Sequence, residues 1–236
     1  MPILAKKKDL QNLIIDLDDL QVIANIFSKI IDFRSPFTAN HSGGVSATAF
    51  ALAGLMGFSP KEQQLMKIAG LLHDVGKLAI PPYILEKPGP LTRDEYRIIK
   101  SHTFFSYRTL EAINGFETIN QWASFHHERL DGQGYPFHLS ERSLPLGSRV
   151  MAVADVFTAI TEDRPYREGM DKKKVVKVLT EMARGEALDK EIVDVLLTNY
   201  HQIDTIRREA QMGTFNEYLS YQKDKDNSVD KWAFKK

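Results

Sequence analysis

Five of the seven histidines in this 236-residue chain fall into one ordered series with two aspartates: His41, His73-Asp74, His102, His126-His127 and Asp155. Imidazole nitrogen and carboxylate oxygen are the donors that hold borderline divalent metals. There is no cysteine, so thiolate ligands and disulfides are excluded and only nitrogen and oxygen donors remain. The series is interwoven with a glycine-rich run, His126-His127-Glu128-Arg129-Leu130-Asp131-Gly132-Gln133-Gly134-Tyr135-Pro136. Together these residues predict a metal centre built for hydrolysis.

The donors also suggest how many ions are held. Seven side chains exceed the roughly six positions of one octahedral ion. Two such ions offer about twelve, and seven ligands fill about eight if Asp74 is counted twice, because a carboxylate has two oxygens and can bridge. The remainder suits a hydroxide and two phosphate oxygens, the needs of two-metal phosphoester hydrolysis. Asp155 sits in an apolar segment, Met151 to Phe157, where an unpaired charge would be expensive. A metal is its simplest partner.

The elements that must position these groups read as helix after helix. Leu17, Leu20, Ile23, Ile26, Phe27, Ile30 and Ile31 form an amphipathic stripe. Val45 to Phe58 predicts a buried helix. Ser59-Pro60-Lys61-Glu62 is a capping box with proline at the first helical position, opening a helix that ends at His73-Asp74. Thr92-Arg93-Asp94-Glu95 is a second capping box, whose helix is predicted to carry His102. Asp171 and Asp189 read as N-caps of two later helices separated at Gly185. Two adjacent histidines point about 100° apart on a helix, so His126 and His127 reach one centre only at a bend, which the following glycines supply. The fold class is all-α, and the one strand signal is a short hairpin after Pro136 (Phe137, Leu139, Leu144). The predicted division is an N-terminal helical segment over 1–32, a catalytic domain over 33–221, and a charged, flexible tail over 222–236.

Composition narrows the partners. Lysine plus arginine and aspartate plus glutamate each number 31, for a formal charge of zero, which gives DNA, RNA or a membrane surface no electrostatic footprint. No apolar run approaches the roughly 18 residues of a membrane span, and Met1 to Leu10 lacks the apolar stretch of a signal peptide. A cytoplasmic setting is expected.

His73-Asp74-Val75-Gly76-Lys77, the spacing to His102, the His126–Pro136 run and the segment from Asp155 to Arg167 resemble HD-GYP domains over about residues 30 to 200. That family is a branch of the HD phosphohydrolases that degrades the bacterial messenger cyclic di-GMP. The resemblance implies that His41, His73, Asp74, His102, His126, His127 and Asp155 are the metal ligands. It gives Asp74 and Lys77 catalytic roles, with the Lys77 ammonium against the scissile phosphate or the attacking hydroxide. It implies substrate contacts from Gly134, Tyr135, Pro136, Arg164, Tyr166 and Arg167, and guanidinium suits phosphate because its fork meets two oxygens. The implied cofactors are two divalent ions, iron or manganese before zinc or nickel. The implied reaction is attack of a metal-bound hydroxide on the cyclic di-GMP phosphodiester, giving pGpG and then GMP.

One position departs from the pattern. Some members carry a glutamate four residues before the first histidine to hold a third metal; here that residue is Phe37, which cannot ligate. This points to the two-metal version and loosens the assignment of His41. Plainer readings stand beside these: Lys77 as a helix C-cap, Arg164 and Arg167 as surface ion-pair residues, Gly-Tyr-Pro as a tight turn. Functional alternatives are a phosphohydrolase on another cyclic dinucleotide or nucleotide, and a non-catalytic cyclic di-GMP receptor. Input would come from a sensory domain or a signalling protein partner, and the helix over 17–32 offers either that link or a homodimer contact.

Overall fold

Capping chemistry sets where the helices begin. Ser59 and Glu62 bond reciprocally, as do Thr92 and Glu95, and Asp16, Asp171 and Asp189 each accept a backbone N–H of the first turn that follows. The computed structural model describes residues 16–33, 40–163 and 168–233, with side chains as far as residue 220. These residues build α1 (Leu17–Asp32), α2 (His41–Leu55), α3 (Pro60–Leu72), α4 (Pro82–Leu85), α5 (Arg93–Lys100) and α6 (His102–Glu111). They continue with α7 (Glu117–Ser124), α8 (Leu146–Thr161), α9 (Lys172–Arg184), α10 (Lys190–Thr198) and α11 (Tyr200–Ala233). A 3₁₀ turn over Val75–Ala79 follows α3.

The all-α expectation holds, with no strand among the described residues. The hairpin expected after Pro136 amounts to a single antiparallel bridge between Asp131 and Ser140. The reason is local. The buried Glu128 carboxylate accepts the N–H groups of Phe137 (2.6 Å) and Leu139 (3.0 Å), donors that a ladder would otherwise use.

A second boundary differs from expectation. The helix opened at Thr92 ends at Lys100, because the Ser101 hydroxyl and N–H both turn back to Ile98 O, and His102 begins a new helix. The break turns His102 inward, while α5 buries none of its own residues.

α2 runs through the centre, packed on α3, α8 and α11, and Val45, Ala49, Leu52 and Ala53 are fully buried. α8 contributes the densest run, Val150 to Ala154 and Phe157, which excludes water on both sides of Asp155. α1 belongs to the same core through Ala24 and Ile31, but Ile23, Ile26, Phe27 and Ile30 of its predicted stripe stay open to solvent. The backbone of the charged segment from residue 222 continues α11 as far as Ala233. No helix among the described residues is long and apolar enough to cross a membrane.

Candidate metal centre

Helix ends deliver most of the predicted donors. His41 opens α2, His73 caps the C-terminus of α3, His102 opens α6, and His126 and His127 lie in the turn after α7. Asp74 follows His73 directly, and Asp155 projects from the middle of α8. At a helix end, carbonyls three residues back lack helical partners and are free to accept from a side chain. Three histidines use them. Nδ1 donates to Gly70 O from His73 (2.7 Å), to Ile99 O from His102 (2.7 Å) and to Ala123 O from His126 (2.6 Å).

That pattern settles the tautomers. A carbonyl only accepts, so Nδ1 carries the proton and Nε2 of a neutral ring presents a bare lone pair inward. Burial pushes the His102 pKa down to about 3 and holds His126 well below the ordinary range, with the neighbouring histidines adding to it. Both rings are therefore neutral at physiological pH. Their Nε2 atoms nonetheless face each other at 3.3 Å, lone pair to lone pair. His73 Nε2 is fully buried without a hydrogen-bond partner, although Asp74 Oδ2 lies 3.2 Å away. Bare buried lone pairs converging on one another are costly in isolation. They are what a cation needs, and the donor set fits a divalent metal.

The donors divide into overlapping groups whose ligand atoms lie within 4.8 Å of one another. One is His41, His73 and Asp155; another is His102, His126 and His127; a third joins His73, Asp74 and His126. Asp74 lies between the first two. Its Oδ1 is 3.3 Å from His102 Nε2 and its Oδ2 is 3.2 Å from His73 Nε2, so each oxygen serves a different side. Asp155 also spans, with Oδ1 3.1 Å from His41 Nε2 and Oδ2 3.8 Å from His127 Nδ1. Burial opposes ionisation of both carboxylates, but the surrounding histidines, with Lys77 at Asp74, outweigh it and hold both pKa values far below the usual range. Burial likewise opposes a proton on His41, yet Glu162 and Asp155 push its pKa up to about 10.

Lys77 Nζ sits 2.5 Å from Asp74 Oδ2 and keeps about a fifth of its side chain exposed. His127 is the most open of the five histidines, at 31% exposure, and the Tyr135 ring lies over it at 4.9 Å. Of the Gly-Tyr-Pro motif, Tyr135 faces the centre. Gly134 is buried against backbone, where a Cβ would meet Glu128 Cα at 2.4 Å, and Pro136 is half-buried beside it. Phe37, Arg164, Tyr166 and Arg167 lie outside the described residues.

Among the buried acids, Glu128 and Glu162 act at the site but were given no role by the sequence reading. Glu128 clamps the Gly-Tyr-Pro loop, and Glu162 accepts from His41 Nδ1 at 3.0 Å. Glu162 carried no local signal: it is the residue just after α8, where the backbone has already turned extended, and its partner His41 is 121 positions away.

The His73-Asp74 turn is held by one hydroxyl. Ser106 Oγ accepts from Gly76 N (2.9 Å) and donates to His73 O (2.8 Å). A Cβ at Gly76 would lie 2.0 Å from His102 O and 2.5 Å from Ser106 N, both backbone atoms. Gly76→Ala is therefore expected to cost about 1–3 kcal/mol or more and to lower the melting temperature by at least about 2 °C. Thermal unfolding tests it, and a wild-type midpoint would mean that α6 moves aside freely.

Comparison with known proteins agrees with this geometry. The chain matches the HD domain family over residues 25–192. It is 38% identical over 186 residues to the 3′3′-cGAMP-specific phosphodiesterase 1 of Vibrio cholerae, covering 79% of this chain and 43% of that protein. It is 36% identical over 181 residues to the cyclic di-GMP phosphodiesterase response regulator RpfG of Xanthomonas campestris, covering 76% and 48%. The chain thus spans less than half the length of either. A solved cyclic GMP-AMP specific phosphodiesterase of V. cholerae has a TM-score of 0.52 at 29% identity, over 82% of this chain and 45% of that one. The HDG"Y"P protein Bd1817 of Bdellovibrio bacteriovorus shares the fold, with a TM-score of 0.59 at 19% identity over 82% and 67%. In the present chain the His73-Asp74 pair at the convergence of the histidines, the Gly134-Tyr135-Pro136 motif beside them and a family match over residues 25–192 agree, and the chain belongs to the HD domain family, in its HD-GYP branch.

Proposed function

We propose that the chain is a metal-dependent phosphodiesterase that opens a cyclic dinucleotide, cyclic di-GMP or its GMP–AMP hybrid, to the linear form and then toward mononucleotides. We further assign His41, His73, Asp74, His102, His126, His127 and Asp155 as ligands of two divalent ions, iron or manganese, and place the protein in the cytoplasm. The observation that carries this reading is the His102–His126 contact, where two neutral nitrogens converge at 3.3 Å beside a carboxylate whose oxygens serve opposite sides. Ions in such a site supply positive charge to a phosphate and lower the pKa of water.

The chain's own residues account for the rest. Asp74 and Asp155 present anionic oxygens to both groups of histidines, so the two sites stay at a fixed separation. The Lys77 ammonium, kept charged by Asp74 against the effect of burial, offers a cation at the partly open edge where a phosphate oxygen would enter. Tyr135 narrows that edge over His127 and shields it from bulk water. Arg164 and Arg167, with Tyr166, are assigned to phosphate contact on the motif alone. A sensory domain or a signalling protein would supply the input.

The test is an anaerobic turnover assay. Protein reconstituted with Mn(II) or Fe(II) is given cyclic di-GMP and 3′3′-cGAMP separately, and products are resolved by chromatography. The linear dinucleotide is expected from at least one of them. Intact substrates in the presence of about two bound metals per chain would refute the enzymatic reading in favour of a receptor.

A further inference from the structure

The geometry points to Glu162 as a positioning residue for the metal centre, held in place by α11. We propose that its carboxylate sets the tautomer and the orientation of His41, and that Gln211, Arg207 and Asp204 lock that carboxylate. The inference rests on the reading of His41 as a ligand. It goes beyond it by assigning work to four residues outside the donor set.

His73, His102 and His126 each donate Nδ1 to a backbone carbonyl, whereas His41 turns its Nδ1 to a carboxylate. Its Nδ1 lies 3.0 Å from Glu162 Oε2, and its Nε2 points at Asp155 Oδ1, 3.1 Å away. Both nitrogens face carboxylates, and Glu162 is the one that keeps a proton on Nδ1 when Nε2 gives up its own to coordination. A carboxylate is also a stronger acceptor than a carbonyl, which raises the basicity of the ligating nitrogen.

Glu162 is itself gripped. Gln211 Nε2 donates to Oε2 at 3.1 Å, and the Gln211 oxygen accepts from Arg207 Nη1. Arg207 closes on Asp204 Oδ1 through Nε (3.1 Å) and Nη2 (2.7 Å). Glu162, Arg207 and Gln211 are each less than a tenth exposed, and Asp204 only 9%. Such a chain is expensive to bury unless every member is satisfied. The sequence makes room for it: a Cβ at Gly44 of α2 would lie within 2.8–2.9 Å of the Gln211 side chain. The four residues therefore link the centre to α11, the longest helix among the described residues.

The experiment is a Mn(II) titration of the metal-free chain by calorimetry, with atomic absorption for stoichiometry. Glu162→Ala is expected to weaken Mn(II) at one of the two sites by 10–100-fold while the other keeps its affinity. Glu162→Gln, which retains an oxygen acceptor, is expected to recover most of that loss. Gln211→Met, similar in volume but without the amide, is expected to weaken the same site several-fold. If Glu162→Ala fails to fold, Gln211→Met decides. Wild-type affinity at both sites in a folded Glu162→Ala chain, or in Gln211→Met in its place, would overturn the proposal. A wild-type chain that takes up no Mn(II) would instead overturn the metal reading beneath it, so the two failures are separable.

Discussion

Asp74→Asn is expected to lower turnover of the cyclic dinucleotide by at least about a thousandfold, or about 4 kcal/mol in the activation barrier. The substitution is nearly isosteric, so the fold should survive. It removes the negative charge shared between the two histidine groups and replaces one oxygen with an N–H₂ that cannot ligate. That amide would face either His102 Nε2 or His73 Nε2, each now within about hydrogen-bond distance, and would occupy the lone pair that a metal requires. Lys77 also loses its anionic partner and is freed from the position it holds 2.5 Å from Oδ2. Metal analysis should fall from about two ions per chain to one or fewer. Near-normal metal content in the variant would refute the bridging role, whatever happened to the rate.

Metal removal is the second large effect. The metal-free centre holds two neutral nitrogens in a repulsive contact and a third without a partner, and a ligand that binds only the folded state stabilises it by mass action. Mn(II) at a hundredfold excess over its dissociation constant contributes about 2.7 kcal/mol, which for a chain of this size raises the melting temperature by about 5–11 °C. Chelation should reverse it. The shift depends on pH in a determined direction. In the metal-free chain His41 has a folded pKa of about 10, above its value in the unfolded chain. Its proton therefore stabilises the metal-free fold fully below about pH 6.5, and this contribution is lost as pH rises toward 10. A metal must displace that proton, so its stabilising effect should be small near pH 6 and grow toward pH 9. Differential scanning fluorimetry with and without Mn(II) across that range reads it directly. A constant shift would show that no protonated histidine gives way to the metal.

The residue series alone carried a great deal. Seven donors in order, the two capping boxes that start α3 and α5, and the caps at Asp171 and Asp189 follow from local rules that act over a few residues. The helical class, the inward-facing helix ends and the branch of the family were legible for the same reason. Other features were settled by contacts that capping and periodicity rules do not cover. The hairpin expected after Pro136 did not form, because Glu128, brought alongside by the turn after α7, takes the donors a ladder would use. The break at Ser101 hides in a helical pattern because one hydroxyl bonding back to Ile98 decides it. The exposed row on α1 has the periodicity of a buried face, and periodicity does not say which apolar residues a neighbour will cover. Glu162 shows the limit most clearly. It stands 121 positions from His41 and 49 from Gln211, in a sequence where an acid after a helix is ordinary. Which atoms can ligate was readable from the residues alone, since donor chemistry belongs to side-chain type. Which nitrogen of His73, His102 and His126 is bare was left to the fold, because it depends on the carbonyl that packing places behind the other nitrogen.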